Sequence, residues 1–440
     1  MPAHQTNSTS ESTLAEARPG PDVEKSDDAA GPLSADIVAD KAPDGGRDAW
    51  MVTFGTWWAL FIAFGWTNSL GVFQNYYEKE LLKAYSASTI AWIASTQIFM
   101  MYGGGIVFGK VFDHYGPRWL LYIGGFCHVF GLMMASISTD YYQIFLSQAI
   151  CSAIGASAIY YASLGSLASW FQAKRATAFG LAASGASVGG VIFPVMVDRL
   201  IYRIGFGWTM RAVAFLILGG LVIVILTVKS RLTHSPKPIH VRQYTTPFTE
   251  IPFLLLVISL SLFSFGLFLP FNFITAQAQT LGMSPTLANY LVAILNATSV
   301  FGRIIPGLVA DRLGRFNVMS VATLVSGILT FALWLPGRSN LTAILYAVFF
   351  GFFSGAYVSL TPALIAQLSP IQEIGVRTGA LYFFVSIAVL TGSPIAGALV
   401  SVDKGNYGYL EIFAGATMCG GAILVVLTRV VQGGFKWQVL

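Results

Sequence analysis

The chain has 440 residues, 55% of them hydrophobic and only 10% charged, with a formal net charge of +5. A soluble domain carries roughly a quarter charged residues to face water on all sides, so a soluble enzyme is excluded and no nucleic-acid partner is expected. Windows of about twenty residues almost without charge recur, the length that crosses a hydrocarbon core of about 30 Å.

Residues 1–49 stand apart, with ten Asp/Glu against four Lys/Arg and no Phe, Trp or Tyr before Trp50. Such a segment cannot bury enough apolar surface to fold, so 1–49 is expected to be a disordered cytoplasmic tail. It shows no basic start followed by an apolar run, hence no cleaved signal peptide, and the spans alone are expected to anchor the chain in the bilayer.

Twelve helical spans follow, at about 50–73, 87–109, 119–138, 142–165, 175–197, 208–228, 251–274, 287–309, 317–336, 341–366, 377–400 and 409–430. They divide into a first six-helix half over 50–228, a cytoplasmic linker at 229–249, a second half over 250–430 and a short cytoplasmic tail at 431–440. The fold class is thus an all-α membrane protein of twelve transmembrane helices in two six-helix halves. With both termini on one side, the loops of that side carry thirteen Lys/Arg and the opposite loops six, which places both termini in the cytoplasm. The sequon at Asn340 then lies outside, so near a span that its glycosylation is disfavoured.

In the first half, Asn68 and Gln97 are uncharged polar residues inside spans and candidates to line a path. "MYGGG" (101–105) and "SGASVGG" (184–190) lie within spans and lack a following Lys-Ser/Thr. They are not phosphate loops; their glycines let helices approach and rock. His128 is the only histidine in a span, and among "GGFCHVFGL" it reads as a packing residue rather than a proton carrier. Cys127, Cys151 and Cys419 all fall in spans, with no disulfide framework or metal spacing, so no metal and no cofactor are expected.

Span 2 is followed by "GKVFDHYGPR" (109–118) and span 8 by "GLVADRLGRF" (307–316). At an offset of 198 they share Gly109/Gly307, Val111/Val309, Asp113/Asp311 and Gly116/Gly314. Each reads as a short gating turn whose first glycine permits close helix contact and whose Asp pairs across neighbouring helix ends. A weaker echo relates "RATAFGLAASGASVGGVIFP" (175–194) to "RTGALYFFVSIAVLTGSP" (377–394).

In the second half, Asn272 sits in "LPFNFI", where Pro270 can free backbone groups. Arg303 lies within span 8, eight residues before Asp311, with no Asp or Glu in the body of any span to pair with it. Burying an unpaired guanidinium costs about 2.5–3.5 kcal/mol on insertion scales, so such a residue is expected to face a watery cavity and await an anion. The competing reading is a side chain that snorkels to the inner surface and tethers the helix end. Asn296, seven residues earlier, lies near the same helix face. Tyr357 and Tyr382 add aromatic surface in spans 10 and 11. For any one of these neutral residues, an interhelical hydrogen bond is the commoner role.

Six spans, a polar linker, six more spans and an internal parallel repeat describe the major facilitator architecture, with its substrate site between the halves. Gly109, Asp113, Gly116 and Arg118 match that superfamily's loop signature, with His114 where a basic residue is usual. "DGGRDAW" (44–50), "NSLGVFQNYY" (68–77), "MYGGG" and "WFQAKRATAFGLAASGASVGG" (170–190) resemble the monocarboxylate porter family, above all its fungal members. The resemblance implies a plasma-membrane transporter working by alternating access, with Arg303 as the carboxylate-binding group. The animal porters carry an aspartate one turn before that arginine and a lysine in span 1, where this chain has Ser299 and Asn68. Protons are thus a candidate coupling ion without the family's titratable pair.

The expected function is secondary active or facilitative transport of a monocarboxylate or related organic anion. The alternative is export or facilitated movement of a larger or neutral metabolite, such as a fungal secondary metabolite. A nutrient sensor on the same fold ranks below both, since the C-terminal tail is short. A membrane enzyme lacks paired carboxylates or a nucleophile–base constellation in the spans, so no enzymatic activity is expected.

Overall fold

The computed structural model describes residues 42–234 and 242–434. Residues 1–41 of the expected tail, 235–241 of the linker and 435–440 of the C-terminal tail lie outside the described residues. Every long element described is a helix, the form in which an apolar run satisfies its own backbone groups away from water. Eleven helical stretches are long and apolar enough to cross a membrane. One of them, Arg175–Thr227, contains two helices meeting at Gly205, whose φ of +80° belongs to no helix.

Twelve spans follow among the described residues: α1 Arg47–Leu81, α2 Ser88–Tyr115, α3 Pro117–Ala135, α4 Tyr141–Trp170, α5 and α6 before and after Gly205, α7 Ile251–Thr280, α8 Pro285–Leu313, α9 Arg315–Trp334, α10 Asn340–Gln367, α11 Ile374–Val402 and α12 Gly408–Gly433. Their ends carry local signals. Ser284 and Ser339 accept the N–H groups of Leu287 and Thr342, capping α8 and α10. Gly116 and Gly314, at φ of +75° and +95°, stop α2 and α8 and let the next helix begin one residue later. Only glycine adopts that backbone without strain, which is why both turns carry it.

The two halves, α1–α6 and α7–α12, meet along two helix pairs, α5 with α8 and α2 with α11. The sequence repeat relates one pair to the other: α2 and α8 end in the repeated turn, and α5 and α11 open with Arg175 and Arg377. Gly109 of α2 rests on the Gly375 carbonyl, and a Cβ on Gly307 of α8 would stand 2.7 Å from the Ala176 carbonyl. Side chains at either position would hold the halves apart.

The outer surface is apolar, with Trp119, Phe126 and Leu226 exposed by 64%, 66% and 69%, as a lipid-facing surface is. The expected tail boundary at 49 shortens. Asp44 accepts the backbone N–H groups of Gln172, Ala173 and Lys174 at 2.6, 2.7 and 3.1 Å, and α1 already begins at Arg47. At the other end α12 runs to Gly433, three residues into the expected tail at 431–440.

Candidate functional site

Arg303 lies ten residues before the end of α8, roughly 15 Å from that end at 1.5 Å per residue. It is 8% exposed and does not snorkel outward: its Nη1 donates to the Ala183 carbonyl of α5 at 2.6 Å, across the boundary between the halves. Its Nε donates to Ser299 Oγ, one turn back, at 3.3 Å. Among the described residues no carboxylate pairs with it, and Nη2 donates to no protein atom. The guanidinium is therefore held by dipoles on two sides, with its charge uncompensated and one nitrogen still available.

Asn68 of α1 and Asn296 of α8 converge on Gly190 of α5. A Cβ there would meet Asn296 Oδ1 at 2.9 Å and Asn68 Cγ at 3.1 Å. Each amide nitrogen returns to its own helix, Asn68 to the Phe64 carbonyl at 2.8 Å and Asn296 to the Val292 carbonyl at 3.1 Å. Tyr382 of α11 also sits at the boundary, stacked on Tyr102 of α2 with centroids 5.4 Å apart and edge-on to Tyr160 of α4 at 5.8 Å. Tyr102 and Tyr160 in turn lie within electrostatic reach of Arg303.

The remaining candidates are placed elsewhere. Gln97 accepts from Gln148 Nε2 at 3.3 Å, in a network with the Tyr77 hydroxyl wholly inside the first half. The Tyr357 hydroxyl is fastened to Ser264 Oγ and the Leu260 carbonyl at 2.7 and 3.0 Å, inside the second half. Asn272 is exposed and donates to Ser393 Oγ, joining α7 to α11 at 2.9 Å. His128 is fully buried, with Nδ1 against the Ser152 carbonyl and hydroxyl. Sequence reasoning passed over Tyr102 and Tyr160. The first was hidden in a run read for its glycines, and the second, in "IYYAS", carries a signal only as a pair of phenols in an uncharged span.

The repeated turns cross between the halves in a reciprocal way. Asp113, at the end of α2, accepts the N–H groups of Gly375 and Val376 at 2.9 and 2.8 Å, where α11 begins. Asp311, at the end of α8, accepts those of Ala176 and Thr177 at 3.0 and 2.8 Å, where α5 begins. Each carboxylate thus sits at the positive end of a helix in the other half. Arg315 pairs with Asp311 at 3.0 Å and donates to the Gln172 carbonyl at 2.6 Å, whereas Arg118 is exposed and joins none of these bonds. Arg175 adds a bond from Nη1 to the Ala366 carbonyl of α10 at 2.9 Å. Arg377 grips Glu250 at 2.6 and 2.7 Å, and that hydrogen-bonded guanidinium holds the Glu250 carboxyl below its ordinary range. This end of the molecule is closed. Asn340, the sequon residue, begins α10 at the opposite end.

The family model described as Major Facilitator Superfamily matches residues 49–276 and 254–438. "MFS-type transporter 1" of Ophiocordyceps sp. (strain BCC 1869) is 52% identical over 392 residues, 89% of this chain and 87% of that protein. The "Fujikurins efflux protein" of Gibberella fujikuroi is 45% identical over 388 residues, 88% of this chain and 83% of that protein. The crystal structure of the Major Facilitator Superfamily transporter FucP in the outward conformation superposes with a TM-score of 0.68. That likeness covers 86% of this chain and 99% of the other at 14% identity, and it is one of fold alone. Two six-helix halves with a polar site between them, and a family match across both, lead to one conclusion: the chain is an integral multi-pass membrane transporter that belongs to the Major Facilitator Superfamily.

Proposed function

We propose that this transporter moves a small organic anion by alternating access, with Arg303 as the anion-binding group. The carrying observation is the guanidinium itself, buried between the halves, braced by Ser299 and Ala183, and without a counter-ion among the described residues. A planar fork with a free nitrogen suits a carboxylate or a similarly delocalised anion. Asn68, Asn296 and Tyr382 line the same path, while Gln97, Asn272 and Tyr357 hold helices together. The cargo is a fungal secondary metabolite rather than a short monocarboxylate, and the direction is export. The efflux name of a 45%-identical relative supports that choice, and so does the absence of the lysine and aspartate at Asn68 and Ser299. Within the superfamily the chain belongs, on this reading, beside the fungal monocarboxylate porters, with both termini cytoplasmic in the plasma membrane.

The test is uptake of a panel of labelled organic acids into proteoliposomes, with and without a proton gradient, for wild type and Arg303→Gln. Loss of a charge-assisted hydrogen bond predicts a fall of roughly 10- to 100-fold in the variant. An unchanged rate in a folded variant, or movement of neutral compounds alone, overturns the reading.

A further inference from the structure

We propose, resting on the reading of Arg303 as the anion site, that a tyrosine cluster beside it selects a planar, conjugated organic anion over an aliphatic one. Tyr102 of α2 and Tyr160 of α4 come from the first half, and Tyr382 of α11 comes from the second. Phe64 of α1 packs on both first-half rings, at 5.4 Å from Tyr102 and 4.8 Å from Tyr160, and Phe268 of α7 stands 6.4 Å from Tyr102. The cluster therefore spans the same boundary that Arg303 crosses, and it changes whenever the halves rock.

The hydroxyls separate this cluster from ordinary packing. A buried tyrosine parks its hydroxyl on a polar partner, and four others in this protein do so, Tyr346 sharing a bond with the Thr330 hydroxyl at 3.1 Å. Tyr77 donates to Gln148, Tyr161 to the Tyr102 carbonyl and Tyr357 to the Leu260 carbonyl. Tyr102, Tyr160 and Tyr382, at 7%, 4% and 4% exposure, reach no backbone carbonyl and no carboxylate among the described residues. The Tyr160 and Tyr382 rings pack edge to face across the boundary instead. Their hydroxyls are thus tied to no helix backbone, and none of them is a fully sealed group without a partner. Within electrostatic reach of Arg303, through Tyr102 and Tyr160, the cluster offers ring faces at the same boundary. An aliphatic acid uses the guanidinium alone. A flat conjugated acid also stacks on the rings.

The test is binding to the purified protein in nanodiscs, read by calorimetry, with naphthoate, decahydronaphthoate and methyl naphthoate. The two acids share charge and carbon skeleton and differ in flatness; the ester keeps the flat ring and loses the charge. Wild type is expected to bind naphthoate about tenfold more tightly than decahydronaphthoate. Tyr160→Leu is expected to bring that ratio near one while leaving decahydronaphthoate binding in place, and Tyr160→Phe, which keeps the ring, to preserve the ratio. Arg303→Gln is expected to weaken both acids alike.

Equal binding of the two acids by wild type, or an unchanged ratio in folded Tyr160→Leu, overturns the selection by the cluster and leaves the anion site standing. Methyl naphthoate binding as tightly as naphthoate overturns the anion site itself, as does an unaffected Arg303→Gln. Binding of neither acid overturns both. If Tyr160→Leu does not fold, Tyr382→Leu is read in its place, because its ring closes the same cluster from the other half.

Discussion

Arg303 is braced by groups that orient it without neutralising it. Ser299 Oγ and the Ala183 carbonyl supply partial charges, so a bound anion gains nearly the whole Coulomb attraction of the guanidinium in a low-dielectric setting. A carboxylate at position 299, where the animal porters carry an aspartate and Ser299 Oγ already accepts from Arg303 Nε, would compete with that anion from one helical turn away. Ser299→Asp is therefore expected to raise the melting temperature of the protein in nanodiscs while weakening binding of an organic acid by about tenfold or more. A gain in stability with unchanged binding would show that the anion sits elsewhere. Arg303 is legible in sequence as a candidate because a charge inside an apolar run is rare and expensive. The convergence of Asn68 and Asn296 on Gly190 is not, because it depends on how closely α1, α5 and α8 approach, and a glycine in a span announces only that something comes near. Gln97 and Tyr357 illustrate the opposite limit, since a polar residue in a span looks the same whether it awaits a ligand or a neighbouring helix.

Each repeated turn ends its helix at a glycine and hands an aspartate to a helix of the other half. The pairing is reciprocal, so the closed end of the molecule is secured twice by the same device, Asp113 on α11 and Asp311 on α5. Replacing one carboxylate by a neutral amide removes a charged cap, worth about 1–2 kcal/mol. An energy of that size shifts a two-state equilibrium by roughly five- to thirtyfold. With spin labels at Lys174 and Arg312, both exposed at this end, Asp113→Asn is expected to raise the population of long distances by that factor. An unaltered distance distribution would mean that these bonds stabilise α11 locally and do not hold the halves. The turns are legible in sequence through their shared spacing, but their partners are not: Gly375, Val376, Ala176 and Thr177 act through backbone N–H groups that every helix start possesses. The same reason hid Asp44. Averaged over 49 residues it is one more acid in a tail, yet alone it gathers the N–H groups of Gln172, Ala173 and Lys174 ahead of α5.

For the molecule as a whole, two halves joined along α5–α8 and α2–α11 can rock about the polar site, and opening at one end then closes the other. Packed helix pairs shift between discrete arrangements more readily than they deform, so the two ends are expected to respond to one perturbation in opposite senses. Asn272 provides the second reporter. It is exposed on α7, toward the end opposite the repeated turns, and donates to Ser393 of α11 at 2.9 Å. In a background with Cys127, Cys151 and Cys419 replaced, Asn272→Cys is expected to react with a membrane-impermeant maleimide applied to the side of the membrane opposite the repeated turns. Adding Asp113→Asn is expected to slow that reaction, because each molecule that opens at the turn end closes over position 272. The slowing and the rise in long Lys174–Arg312 distances describe one equilibrium and must move together across a series of turn variants. If the turn end opens while the maleimide rate stays constant, the halves do not move as units, and alternating access in this protein would reside in the bending of single helices, with α7 at Pro270 the first to examine.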